Sequence, residues 1–86
     1  MKDEKLFELI QSTIVSVAPA FSDIKIQQSD SLKQLGLNSI ERMEVTMIIM
    51  EELEVDVPRI ELLGPKNISE LITLLSTKIE EQGSFA

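Results

Sequence analysis

No cysteine and no histidine occur in this chain of 86 residues, and tryptophan and tyrosine are missing as well. Without cysteine there is neither a disulfide framework nor a thiolate metal site. Without histidine there is no Ser-His or Cys-His nucleophilic pair, no imidazole base and almost no route to a zinc site. Positive charge is scarce, since 8 Lys and Arg against 15 Asp and Glu leave a formal net charge of -7. That balance repels nucleic-acid phosphates and anionic membrane surfaces. It suits a basic protein partner, although the same acidity also serves solubility. No apolar run approaches membrane-spanning length, and the opening MKDEKLFELI sets charges on both sides of its few apolar residues, unlike a signal peptide. We expect a cytoplasmic monomer. With only carboxylates and a few lysines as bases, it suits the role of a partner of enzymes better than that of an enzyme.

What is present is enough to fold. A hydrophobic fraction of 43% is ordinary for a folded chain, and the length allows a single domain, 1–86, near the lower limit for an independent core. Phe7, Ile10, Ile14 and Val17, with Leu6 beside them, keep a helical rhythm that predicts a first helix from Asp3 to Val17. Pro19 ends it. A long connection runs from Pro19 to Leu37, in which Ser31 to Leu35 predicts a short helical turn with Leu32 and Leu35 inward and Gly36 ending it. A second long helix is expected from near Asn38 to Leu53 or Glu54, with Asn38 and Glu41 spaced as a capping box. After Val55-Asp56-Val57 and Pro58, another short turn spans Arg59 to Leu63 and stops at Gly64-Pro65. The last helix shows Asn67 and Glu70 as a second capping box, an apolar stripe of Ile68, Leu71, Ile72, Leu75 and Ile79, Lys78 suited to the C-terminal dipole, and Gly83 at its end. No strand or repeat stands out. The fold class is all-α: three long helices plus one or two short ones, with a long first connection.

The second long helix, SIERMEVTMIIMEEL, carries more apolar residues than one buried stripe needs. Ile40, Met43, Met47 and Met50 lie along one side, Val45, Ile49 and Leu53 along another, and Ile48 between them. Such a helix is either central and packed on several sides, or buried on one face and offered to partners on the other. Glu41, Glu44, Glu51 and Glu52 need water and favour the second arrangement, an apolar strip with a carboxylate rim. Methionines there adapt to differently shaped partners, and they also serve as core filler.

Two serines have nearly interchangeable neighbours in SDSLKQLGLNSIERMEV: Ser31 and Ser39 each follow Asp or Asn and precede an aliphatic residue. Ser31 reads as a plain cap of the short turn. If Asn38 caps the long helix, Ser39 is its first residue, beside unpaired amides and the positive dipole end, a favourable place for an anionic substituent.

LGLNSIERMEV, followed by the acidic helix and Val57-Pro58, resembles the acyl carrier proteins from Leu6 through the terminal helix. The resemblance implies an acyl-carrier-like bundle, and 4′-phosphopantetheine esterified to a serine at the start of the second long helix by a phosphopantetheinyl transferase. The family's usual string Asp-Ser-Leu occurs at Asp30-Ser31-Leu32, but the family serine follows Leu-Gly-x and opens a long helix, as Ser39 does after Leu35-Gly36-Leu37. The resemblance therefore points to Ser39. Asn38 departs from the aspartate usual in the family, Met50 from a position often acidic, and Pro65 shortens the turn into the last helix.

The run Asn38-Ser39-Ile40-Glu41-Arg42-Met43-Glu44 and the later PRIELLGPKNISEL resemble the free-standing donor carriers of polyketide β-branching cassettes. The resemblance implies an acetyl group, made by decarboxylating a malonyl group and handed to a hydroxymethylglutaryl-CoA-synthase-like enzyme. It also implies an acyltransferase and a decarboxylating ketosynthase-like enzyme as partners. Acceptor carriers tend to hold Trp six residues after the serine, where this chain has Val45. The expected partner surface is Asn38, Ile40, Glu41, Arg42, Glu44, Met47, Met50 and Glu51, with no catalytic residue and no metal. Arg42 can meet an acidic patch, the phosphate of the arm, or a neighbouring Glu three or four residues away. The alternatives are a fatty-acid or loading carrier, a peptidyl carrier, whose usual second glycine is replaced by Leu37, or an unmodified acidic helical adaptor.

Overall fold

The computed structural model describes residues 3–82. Its helices are α1 (Asp3–Val17), α2 (Leu32–Leu35), α3 (Ser39–Leu53), α4 (Arg59–Leu62) and α5 (Ile68–Gln82), and no strand occurs among the described residues. The three long helices and two short ones match the expected all-α bundle. A 3₁₀ turn over Pro19–Asp23, not foreseen in the sequence, adds to it. Pro19 starts this turn because its fixed φ suits a first helical position. Gly83, expected to end the last helix, lies outside the described residues.

Each long helix buries one stripe. Leu6, Ile10 and Ile14 of α1 meet Val45, Ile49 and Leu53 of α3, and Ile68, Leu71, Ile72, Leu75 and Ile79 of α5 close the core. Phe7 and Val17 are only partly buried, so the inner face of α1 is turned toward Leu6 and Thr13. The Thr13 hydroxyl, buried there, donates to the Leu9 carbonyl at 2.6 Å and so leaves no orphaned donor. Burying each of these aliphatic side chains contributes about 1.5–3 kcal/mol against the entropy of ordering the chain.

The long connection belongs to the core more than its composition suggested. Ile26 and Leu37 are buried, and Leu32 and Leu35 pack partly against the same cluster, as expected. Its carbonyls also complete α5: the amide of Ile68 donates to Asp30 and that of Ser69 to Gln28, both at 2.9 Å. Asn67 Oδ1 accepts from the amide of Glu70, as expected of a cap. The Glu70 carboxylate, however, takes the amide of Lys66 at 3.2 Å instead of closing a box on Asn67, because the turn before α5 brings that earlier donor over the first helical turn.

The segment from Val55 to Val57 is likewise inside. Both valines are buried while Asp56 faces out, the alternation of an extended strip. Gln82 holds this strip: its side-chain amide donates to the Asp56 carbonyl at 2.7 Å and its oxygen accepts the Asp56 amide at 2.9 Å.

Candidate functional site

The start of α3 is set by a closed local circuit. Asn38 Oδ1 accepts from the amide of Glu41 at 2.8 Å, and Glu41 Oε1 accepts from the amide of Asn38 at 2.9 Å. The expected capping box is present, and it makes Ser39 the first helical residue. The amides of Ser39 and Ile40, in the opening turn, have no intrahelical acceptor. Ser39 itself is exposed and takes no part in the capping circuit.

Ser31 is employed differently. Its Oγ accepts from the amide of Gln34 at 3.0 Å and caps the four-residue α2. Gly36 then ends α2 with φ 111°, a left-handed value that glycine adopts without the penalty of a Cβ. The chain reverses there, Leu37 drops into the core, and Asn38 is delivered to the head of α3. The short α2 therefore positions α3, which is the physical reason a Leu-Gly-x unit precedes Ser39.

Beyond Ser39, α3 divides cleanly. Val45, Ile49 and Leu53 are buried, whereas Ile40, Met43, Met47 and Ile48 are exposed, Ile40 by 69% and Met47 by 49%. Met50 is partly buried against the core, and Glu44, Glu51 and Glu52 are exposed. Of the two arrangements open to this helix, the structure adopts the one-sided burial with a second apolar face in solvent. Asn38, Ile40, Glu41, Arg42, Glu44, Met47, Met50 and Glu51 all lie on this helix or at its cap. Arg42 does not pair with a helical Glu; its Nη1 lies 3.5 Å from the carbonyl of Leu37, back toward the Ser39 end of the helix.

The sequence reading missed α4's share of this surface. Ile60 and Leu63 are 78% and 79% exposed, as much as any large apolar residue of the described chain. Arg59 links them to α3 by placing Nη2 3.6 Å from the sulfur of Met43. The signal available was RIELLG itself, three aliphatic residues in a turn too short to bury them all.

An acidic helical bundle that presents an exposed serine at the head of a capped helix has the organisation of an acyl-carrier domain. The chain belongs to the phosphopantetheine attachment site family, which matches residues 8–75, a span containing both Ser31 and Ser39. It is 35% identical over 80 residues to the polyketide biosynthesis acyl-carrier protein AcpK of Bacillus subtilis (strain 168), covering 93% of this chain and 98% of that one. It also superposes, with a TM-score of 0.84 and 41% identity, on a chain from the crystal structure of the curacin biosynthetic pathway HMG synthase in complex with acetyl donor-ACP. That match covers 91% of this chain and 100% of the other, a length that fits the carrier of that complex rather than the synthase.

The residues present suit the family's prosthetic group. Its phosphodiester is anionic, and an exposed hydroxyl on the first residue of a 15-residue helix offers it unpaired amides and the positive end of the helix dipole. The same link at Ser31 would displace the bond that caps α2.

Proposed function

We propose that this chain is a donor carrier for polyketide β-branching, modified with 4′-phosphopantetheine at Ser39 and delivering an acetyl group to a hydroxymethylglutaryl-CoA-synthase-like enzyme. The observation that carries this reading is the likeness, at 41% identity over 91% of the chain, to the acetyl donor carrier crystallised with such a synthase. When bound, the group supplies a terminal thiol on a flexible arm, on which acyl groups are held as thioesters.

The chain's own residues do the rest by holding and presenting. Asn38 and Glu41 fix the helix start so that the Ser39 hydroxyl faces a transferase in solvent. Ile40, Met43 and Met47 offer apolar contact, and Glu44 and Glu51 supply the rim that steers basic partner surfaces. The chain performs no chemistry of its own; tethering raises the effective concentration of the acyl group at the partner's site. Its other partners in this reading are a phosphopantetheinyl transferase, an acyltransferase and a decarboxylating ketosynthase-like enzyme.

Intact-mass measurement after incubation with coenzyme A and a broad-specificity transferase tests the attachment. The reading requires a phosphopantetheinyl increment in the wild type and in Ser31→Ala, and none in Ser39→Ala. The reverse pattern moves the site to Ser31, and no increment in any form leaves an unmodified adaptor. Acetyl-loaded protein offered to a synthase of the β-branching type and to a fatty-acid synthase then tests the donor role, since preference for the second enzyme sinks it.

A further inference from the structure

The chain has two arginines, Arg42 and Arg59, and both reach the head of α3 from different elements. Arg42, half-buried on α3 itself, folds back so that Nη1 lies 3.5 Å from the carbonyl of Leu37, which precedes the cap. That contact is long for a hydrogen bond and occupies one of the five donors of the group. Arg59, exposed at the start of α4, places Nη2 3.6 Å from the sulfur of Met43. Helical side chains lean toward the N-terminus, so Met43 covers the first turn of α3 and brings Arg59 over it. Neither arginine forms an ion pair, since the ion pairs among the described residues are those of Lys78.

Helical geometry sets the two on opposite sides of Ser39. Arg42 and Met43 follow it by three and four residues, about 4.5 and 6 Å along the axis. On a 100° wheel Arg42 lies roughly 60° to one side of the serine, and Met43, with Arg59 against it, roughly 40° to the other. The carboxylates of the same two turns leave the helix elsewhere, Glu41 roughly 160° and Glu44 roughly 140° from the serine. Glu41 is also engaged by the Asn38 amide. In a chain of net charge -7, the exposed hydroxyl is flanked by cations.

We propose that Arg42 and Arg59 form a bracket for the phosphodiester of the arm, one guanidinium to each of its two non-bridging oxygens. This inference rests on attachment at Ser39. An anionic link added to so acidic a surface is opposed by the field of the chain, and two local cations offset that opposition. Guanidinium suits the task, because its weakly hydrated planar fork makes charge-assisted bonds to phosphate oxygens. The open amides of the first turn serve the same anion from the helix end. Neither arginine has much to give up: Arg42 leaves a long contact to one carbonyl, and Arg59 leaves a thioether, a weak acceptor. The bracket fixes the root of the arm and leaves the segment beyond the phosphate free. Loading therefore alters the face that partners meet, since it neutralises two cations that stand open in the unmodified protein.

Protein carrying ¹⁵N in its arginine side chains, with ³¹P observed on the arm, gives a readout independent of any enzyme activity. Unmodified and arm-bearing forms are compared, loading is verified by intact mass, and amide spectra verify that each variant stays folded. The expected result is a shift of the Nε–H signals of Arg42 and Arg59 on loading. The ³¹P signal should move in Arg42→Gln and in Arg59→Gln, whereas Lys5→Gln, which removes the same charge from α1, leaves it in place. Raising the salt concentration should move the wild-type ³¹P signal toward that of the double arginine variant. Loaded protein whose arginine signals match those of the unmodified form, or whose ³¹P signal ignores either arginine substitution, overturns the bracket alone. Protein that accepts no arm at Ser39 overturns the attachment and the bracket together.

Discussion

The ammonium of Lys78 on α5 lies 2.9 Å from a carboxylate oxygen of Glu61 on α4, with Glu81 a further 3.5 Å contact on its own helix. The sequence reading gave Lys78 to the dipole at the end of α5, but the last turn of that helix contains no basic residue. Lys78 instead ties the short α4 to the bundle, because a four-residue helix with Ile60 outward has little apolar area with which to hold itself. Hydrogen bonding to Glu61 raises the Lys78 pKa above its ordinary 10.5. The stabilisation from this pair is therefore complete below pH 10.5 and is lost as pH rises through the raised value. Lys78→Met should remove that alkaline step from the unfolding profile and speed amide exchange in α4, leaving exchange in the middle of α5 unchanged. A retained step would assign it to another group.

The two caps should separate in their consequences. Asn38→Ala and Ser31→Ala each remove a side-chain acceptor and should each cost about 1 kcal/mol in urea unfolding. Asn38→Ala should also slow modification at Ser39 by loosening the first turn of α3, whereas Ser31→Ala should affect stability more than modification. Asn38→Asp keeps the acceptor, so its stability should stay within about 0.5 kcal/mol of the wild type.

At Gly36 the obstacle to a side chain is backbone conformation rather than space. A Cβ there would sit 3.7 Å from the ring of Phe21, an ordinary contact, but at φ 111°. Gly36→Ala should destabilise by roughly 1–2 kcal/mol, measured by chemical denaturation. A neutral result would mean that the turn relaxes.

Gln82 closes the bundle through its paired bonds to the backbone of Asp56. Gln82→Ala should cost roughly 1 kcal/mol and raise exchange at the Asp56 amide.

The exposed apolar face makes a separable claim about binding. Ile40→Ala and Met43→Gln should leave stability within about 0.5 kcal/mol, since neither side chain is in the core. Each should weaken binding to a synthase of the β-branching type by about 1 kcal/mol, roughly fivefold in Kd. Titration calorimetry distinguishes that outcome from an unchanged affinity, which would move the interface elsewhere.

Features built from neighbours three or four residues apart were legible before any coordinates. The circuit of Asn38 with Glu41, the cap by Ser31, the turn at Gly36 and the spans of the long helices belong to this kind, because their hydrogen bonds close within one helical turn; the second box failed where Glu70 found the Lys66 amide instead of that of Asn67. Side chains with no local partner were not legible. Ile26, Leu37, Val55 and Val57 sit in segments without helical period, and their burial depends on which helices pass over them.

By itself, then, the order of residues determined where the helices start and stop and which of two similar serines heads a long helix, since both follow from short-range bonding and periodicity. Only the packed bundle decided which apolar face of α3 is sealed and which meets solvent. It also decided that carbonyls of Gln28 and Asp30 finish the distant head of α5, and that Met47, Met50 and Val55 share one cleft. Such contacts depend on helices docking across the fold, and a side chain's burial is set by what stands opposite it rather than by what precedes it in the chain.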